Sequence, residues 1–285
     1  MKPLFQPSRV AGWPGGADCA VMLCFDVDGE TVALSEGANY GKHRSLMSMC
    51  SYGPRIGAPR LLDLLRHYAI PATFYVPGYV AEQHPALVER IVVEGHELGL
   101  HGYLHEKLTG LDRAQEEAVL DRSLQVLEMI SGSRPVGHRA PWFATNDMTP
   151  EILASRGLLY SASEMGADAP YIHGNGLVEI PLQWTLEDWE QFAFHADPTI
   201  GFQPAELEKV RRLWWDEFVA AADIGGCHVL TMHPFIMGRM AKVRLLETLI
   251  REMSESGRAW FARGREVADW TIAQVAPHLG SIDRV

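Results

Sequence analysis

The feature that most constrains this chain is an alternation. Short apolar runs of strand length recur between longer segments of helical period along most of its 285 residues. "CAVMLCFDV", "PATFYVP", "HELGLHG", "PVGHRAP", "LLYSAS", "LVEIPLQW" and "CHVLTMHP" read as strands. "PRLLDLLRHYA", "PALVERIVVEG", "DRAQEEAVLDRSLQVLEMISG", "TPEILASRG", "PAELEKVRRLWWDEFVAAA" and "VRLLETLIREMSESG" read as helices. Several helices open with Pro, Asp or Thr and close at Gly, the usual start and stop signals. About seven such units in one chain predict an α/β fold of parallel strands joined by helices. A closed or nearly closed barrel fits better than an open sheet, although period alone does not separate the two.

One domain spanning residues 1–285 is expected, long enough for a full apolar core. Residues 31–57, "TVALSEGANYGKHRSLMSMCSYGPRIG", break the alternation. Their Gly and Ser content predicts a long insertion folded over a site. With 47% apolar and 21% charged residues the composition is that of a soluble globular protein. A formal net charge of −11 disfavours nucleic acid and anionic membranes as partners. No apolar run approaches the roughly 20 residues of a membrane span. The N-terminal "MKPLFQPSRVAGWPGG" lacks the apolar core of an export signal, so a cytoplasmic location is expected. Cys19, Cys24, Cys50 and Cys227 show no C-x-x-C spacing and read as free thiols.

In such an architecture the chemistry gathers on the loops that follow strands. "CFDVDGE" puts Asp26 and Asp28 on the same side of an extended chain. "LHGYLHEKL" places His101 and His105 four residues apart, on one side of a helical turn and close enough to share a cation. "GHRAPWF" delivers Arg139 beside a proline, and "TMHPF" delivers His233. Singly, each has an ordinary explanation: a helix cap, a surface imidazole, an ion-pair partner, a core histidine bonded to a carbonyl. Together, at successive strand ends, they point to one site.

These motifs resemble those of the polysaccharide deacetylase (NodB-homology, carbohydrate esterase 4-like) family: "FDVD", "HGYLH", "RAPW" and "TMHP", in that order, over roughly residues 13–275. "MGADAPY" and "IPLQWTLEDW" are similar to one branch, with intracellular peptidoglycan-deacetylase-like proteins and cyclic imide hydrolases. "WPGGA" and "SYGPRIG" look like the metal-independent allantoinases. The family's usual first motif has adjacent aspartates, whereas Val27 separates Asp26 from Asp28 here; the branch tolerates this.

The resemblance implies a distorted seven-stranded (β/α) barrel and a divalent metal, usually zinc, held by Asp28, His101 and His105. Such an ion lowers the pKa of a bound water from near 16 to about 7. By the same resemblance Asp26 is the general base, Arg139 holds it, the Trp142 backbone N–H stabilises an oxyanion, and His233 protonates the leaving nitrogen. Asp168 falls where the family has an acidic residue near that histidine. Further candidates have everyday alternatives. Glu30 is an extra ligand, a substrate contact or a turn carboxylate. Trp184 and Asp188 line the pocket or, for Trp184 and Trp189, simply pack. Tyr52 and Arg55 grip a polar substrate or hold the insertion down. His138 and His195 read as structural. "RRLWWDEF" is an amphipathic helix whose aromatics pack or meet another subunit, and the branch tends to form tetramers.

The expected activity is metal-dependent hydrolysis of a non-peptide carbon–nitrogen bond. A small cyclic amide or imide is the favoured substrate. N-deacetylation of an amino sugar or polysaccharide is the alternative, and an inactive ligand-binding barrel a third possibility. Phosphate-ester chemistry is disfavoured by the acidic charge and the lack of a Gly-rich phosphate cradle.

Overall fold

A computed structural model describes residues 12–37 and 39–279; residues 1–11 of the stretch read for an export signal lie outside it. The first strand, β1 (Cys19–Asp26), is buried at every position, as expected of a strand covered on both faces. The insertion follows as α1 (Thr31–Leu34) and α2 (Arg44–Tyr52), then a π-turn at Gly53–Gly57 that runs into α3 (Ala58–Tyr68). Next come β2 (Thr73–Val76), α4 (Gly78–Gln83), α5 (Pro85–Val93), β3 (Glu97–Leu100) and α6 (Arg113–Ser131). α6 starts where the sequence says it should. Asp112 and Gln115 form a capping box, and Gly132 ends the helix at φ 69°.

The second half continues through β4 (Gly137–His138), α7 (Thr149–Ser155), β5 (Tyr160–Ser161), β6 (Tyr171–Ile172) and β7 (Val178–Glu179). It ends with α8 (Asp188–Phe192), the hairpin β8 (Phe194–Ala196) and β9 (Thr199–Gly201), α9 (Leu207–Ile224), β10 (Cys227–Met232), α10 (Pro234–Met237), α11 (Met240–Glu255), β11 (Ala259–Phe261) and α12 (Gly264–Leu279).

Seven parallel strands curl in the order β10-β1-β2-β3-β4-β5-β7. β6 adds an antiparallel edge beside β7, and β11 pairs the start of β1. The curl is not closed by a ladder between its two ends. A single parallel bridge, Glu187 to Thr231, ties the segment after β7 back to β10. Alternate residues of β1 divide the core: Val21, Leu23 and Phe25 face the helices, while Ala20, Met22 and Cys24 face inward with Tyr75, Tyr160 and Val229.

Trp13 stoppers this inner core from the N-terminal ends of the strands, its indole N–H donating to Gly226 O at 3.0 Å. "WPGGA" is therefore an architectural plug at the end opposite the strand-end histidines. The 31–57 segment is mostly helical rather than a loose loop, because Leu46 and Cys50 bury a stripe of α2. Its close anchor is Gly57: a Cβ there would stand 2.0 Å from Pro234 O. Only glycine lets the insertion dock against the turn that follows His233. The four cysteines are unpaired, and no described helix is long and apolar enough to cross a membrane.

Candidate active site

Strand order explains why residues so far apart in sequence meet. Asp26 ends β1 and Asp28 lies two residues on; His101 follows β3, Arg139 follows β4 and His233 follows β10. All five leave the C-terminal ends of parallel strands around one mouth.

Asp28 is 1% exposed and sits among three imidazoles. Its oxygens lie 3.3 Å from His101 Nε2, 3.6 Å from His105 Nε2 and 3.4 Å from His233 Nε2. Burial alone would raise its pKa, but those imidazoles outweigh burial and hold the carboxyl well below the usual range. His101 Nδ1 donates to Arg139 O at 2.9 Å and its Nε2 faces Asp28; burial would lower this imidazole, but Asp26 and Asp28 outweigh burial and raise it. Burial pushes His105 down to about 3, so this imidazole is neutral and able to ligate near pH 7.

The two histidines do not share a helical turn. Gly102 and His105 stand at φ 68° and 64°, and this left-handed backbone turns the chain back so that the rings meet at 5.0 Å. Trp142 and Phe143, at φ 59° and 54°, are strained in the same sense beside the site.

A divalent ion fits this set. The potential donor atoms of Asp28, His101 and His105 lie within 4.8 Å of one another, and Asp28 Oδ1 is buried with no hydrogen-bond partner. One carboxylate and two imidazoles are the donors of a catalytic zinc site that keeps positions open. A second group, Glu164, His173 and Glu179, is shallower. Glu179 Oε1 there accepts the backbone N–H of Ser163 and of Glu164, a bond pair that pins the chain after β5.

Arg139, completely buried, donates to Asp26 Oδ1 at 2.9 Å and to Ala162 O at 3.0 Å, with its guanidinium over Tyr75. The base candidate is thus fixed from behind. On the opposite side His233 Nδ1 donates to Asp188 Oδ1 at 2.7 Å, and Asp188 Oδ2 accepts the His233 backbone N–H. Burial would lower this histidine, yet Asp188 and Asp28 prevail and push it up to about 10. Its Nε2 faces the cavity as a proton donor.

The cavity itself holds about 80 Å³ and is walled by Trp142, Phe143, Trp184 and Trp189 above the polar cluster. Lys107 Nζ lies 4.5 Å over the Trp142 ring at the rim.

Several expected residues lie elsewhere. Asp168 is exposed, and its carbonyl meets Cys227 N at the start of β10, the end away from His233; the histidine's acidic partner is Asp188. Asp188 is therefore no pocket wall. Glu30 faces His84 at 3.3 Å rather than the cavity. Tyr52 donates to Gly238 O and accepts from Arg60, which makes it an anchor of the insertion. Arg55 is exposed on the π-turn and does not line the cavity. Trp142 and Trp184 do line it.

Glu187 was not anticipated. It is 5% exposed, lines the cavity, and burial pushes it up to about 8.

The chain matches the polysaccharide deacetylase family over residues 39–161. A crystal structure from Mycobacterium smegmatis that carries the family name is 40% identical, superposes with a TM-score of 0.90, and is matched over 95% of this chain and 96% of that one. The chain belongs to the polysaccharide deacetylase family. As a family member it is a hydrolase of amide carbon–nitrogen bonds other than peptides; the family's deacetylases are metal-dependent, and Asp28, His101 and His105 present the donors such an ion needs.

A peptidoglycan deacetylase of Helicobacter pylori is 28% identical over 87% of this chain and 95% of that protein. The structure named Puue allantoinase shares the fold with a TM-score of 0.80 at 23% identity, over 94% of each chain.

Proposed function

We propose that this deacetylase-family hydrolase opens a small cyclic amide or imide, using one zinc ion held by Asp28, His101 and His105. The cavity carries this reading. Its volume of about 80 Å³ is far below the roughly 300–1,000 Å³ of pockets that take larger ligands. Four aromatic side chains line it, a surface suited to a flat ring. Arg139 holds Asp26 to accept a proton from the attacking water. When bound, the ion supplies Lewis-acid polarisation of the carbonyl and a water acidic enough to ionise near pH 7. His233, aimed by Asp188, gives the proton that lets the ring nitrogen leave. The Trp142 N–H remains the proposed oxyanion donor, at a backbone held in a left-handed turn beside the cavity.

N-deacetylation of an amino sugar is the second reading. The Helicobacter pylori relative's name favours it, as does Trp184, 45% exposed at the mouth, where a saccharide ring would stack. The deciding assay charges the protein with zinc, then follows ring opening of hydantoin, dihydrouracil and succinimide beside acetate release from chitooligosaccharides. A kcat/KM at least about 100-fold higher for a ring substrate is expected. Faster acetate release would transfer the assignment to deacetylation.

A further inference from the structure

Among the described residues, two buried carboxyls around this mouth keep an oxygen without a hydrogen-bond partner, Asp28 and Glu187; the proposed ion accounts for Asp28 and leaves Glu187 uncommitted. Asp26 is held by Arg139, Asp28 by imidazoles, and Asp188 by His233 through both oxygens. Glu187 has no such tie. Its Oε2 is buried without a hydrogen-bond partner, and Oε1 stands 3.9 Å from His233 Nε2, beyond hydrogen-bond reach. Its backbone is fixed by the bridge to Thr231, so the side chain enters the cavity from a set position. A buried polar group without a partner is costly, and its place in a ligand cavity identifies what relieves it.

Position says which part of a substrate arrives there. His233 Nε2 faces the leaving nitrogen, and Glu187 is its neighbour, so Glu187 meets the nitrogen side of the scissile bond. In a cyclic imide the ring locks N–H and the second C=O side by side on that edge. A neutral carboxyl offers the matching pair, one O–H donor beside one C=O acceptor. Burial favours that neutral form around pH 7. An acetamido group on a sugar has a single carbonyl, which is the one attacked, and its N–H points the opposite way. It leaves one Glu187 oxygen unmet.

On the ring-opening chemistry proposed above, we infer that Glu187 is the specificity-determining residue of the site, pairing with the N–H and second carbonyl of a cyclic imide. Glu187 thereby selects imides over acetamido sugars.

The test compares wild type, E187Q and E187L, each loaded with zinc, on succinimide and on a chitooligosaccharide. Thermal unfolding is recorded for all three. The Gln amide keeps a donor and an acceptor at the same places, so E187Q should stay within about 10-fold of wild type on succinimide. E187L should lose about 100-fold or more in kcat/KM on succinimide, largely through KM, and change acetate release less than about 3-fold. Equal losses on both substrates would make Glu187 a support for His233 and overturn the inference while ring opening stands. So would an unchanged E187L, or an E187Q as damaged as E187L. If E187L does not fold, E187Q alone decides, a 100-fold loss on succinimide counting against the inference. A wild type that only releases acetate would overturn both the inference and the ring-opening function.

Discussion

Asp188 shows how one side chain sets the behaviour of another. Its carboxylate, 2.7 Å from His233 Nδ1, is a principal reason that the imidazole stays protonated up to about 10. Removing that charge in Asp188→Asn lowers the His233 pKa, so the alkaline limb of the kcat profile should move toward neutral pH. An unmoved limb would exclude His233 as the titrating acid. Asp26→Asn should keep one zinc per chain by elemental mass spectrometry yet lose about 10²–10⁴-fold in kcat. The six residues Asp26, Asp28, His101, His105, Arg139 and His233 were legible because polar groups at the ends of apolar strands have few structural uses. The choice between Asp168 and Asp188 was not. Both lie in segments that return toward β10, and only the fold reveals that one reaches its beginning and the other its end. Glu187 left only a faint mark, the first acid of "LEDW" after an apolar run.

At the level of elements, helix signals read well where caps are local, as the Asp112–Gln115 box and Gly132 illustrate for α6. They read poorly where tertiary contact decides. β4, β5 and β7 are only two residues long, although longer runs suggested them, because the chain leaves each ladder early to build the site loops. His101 and His105 fit helical spacing, but Gly102 and the left-handed His105 prevent a helix. The 31–57 segment, read as a Gly/Ser-rich insertion, gains helix from packing α2 onto the core. Its junction at Gly57 is correspondingly sensitive. Gly57→Ala forces a Cβ against Pro234 O, so it should cost about 1–3 kcal/mol in chemical denaturation and lower kcat by displacing His233. Unchanged stability would mean that the junction yields freely.

For the whole molecule, acid should be more damaging than the modest charge suggests. His138 and His228 are buried and held down to about 3, chiefly by desolvation, with His101 and Arg139 adding to it at His138. The unfolded chain takes up their protons below about pH 6.5 while the folded chain does not. Their contribution is therefore intact above about 6.5 and shrinks as pH falls toward 3, by about 1.4 kcal/mol per pH unit for each group. His228→Leu should flatten the fall of stability between pH 6 and 4; an identical slope would show that His228 is not neutral when buried. Removing the ion with a chelator should lower Tm, since Asp28 belongs to the β1 end and His101 and His105 to the β3 end. The sheet, meanwhile, is a ring with one gap, crossed by the Glu187–Thr231 bridge and by the two bonds from Asp188 to His233. The clasp of the ring and the aim of its acid are thus the same few atoms. Any motion that springs the gap therefore also releases the candidate proton donor from the carboxylate that aims it.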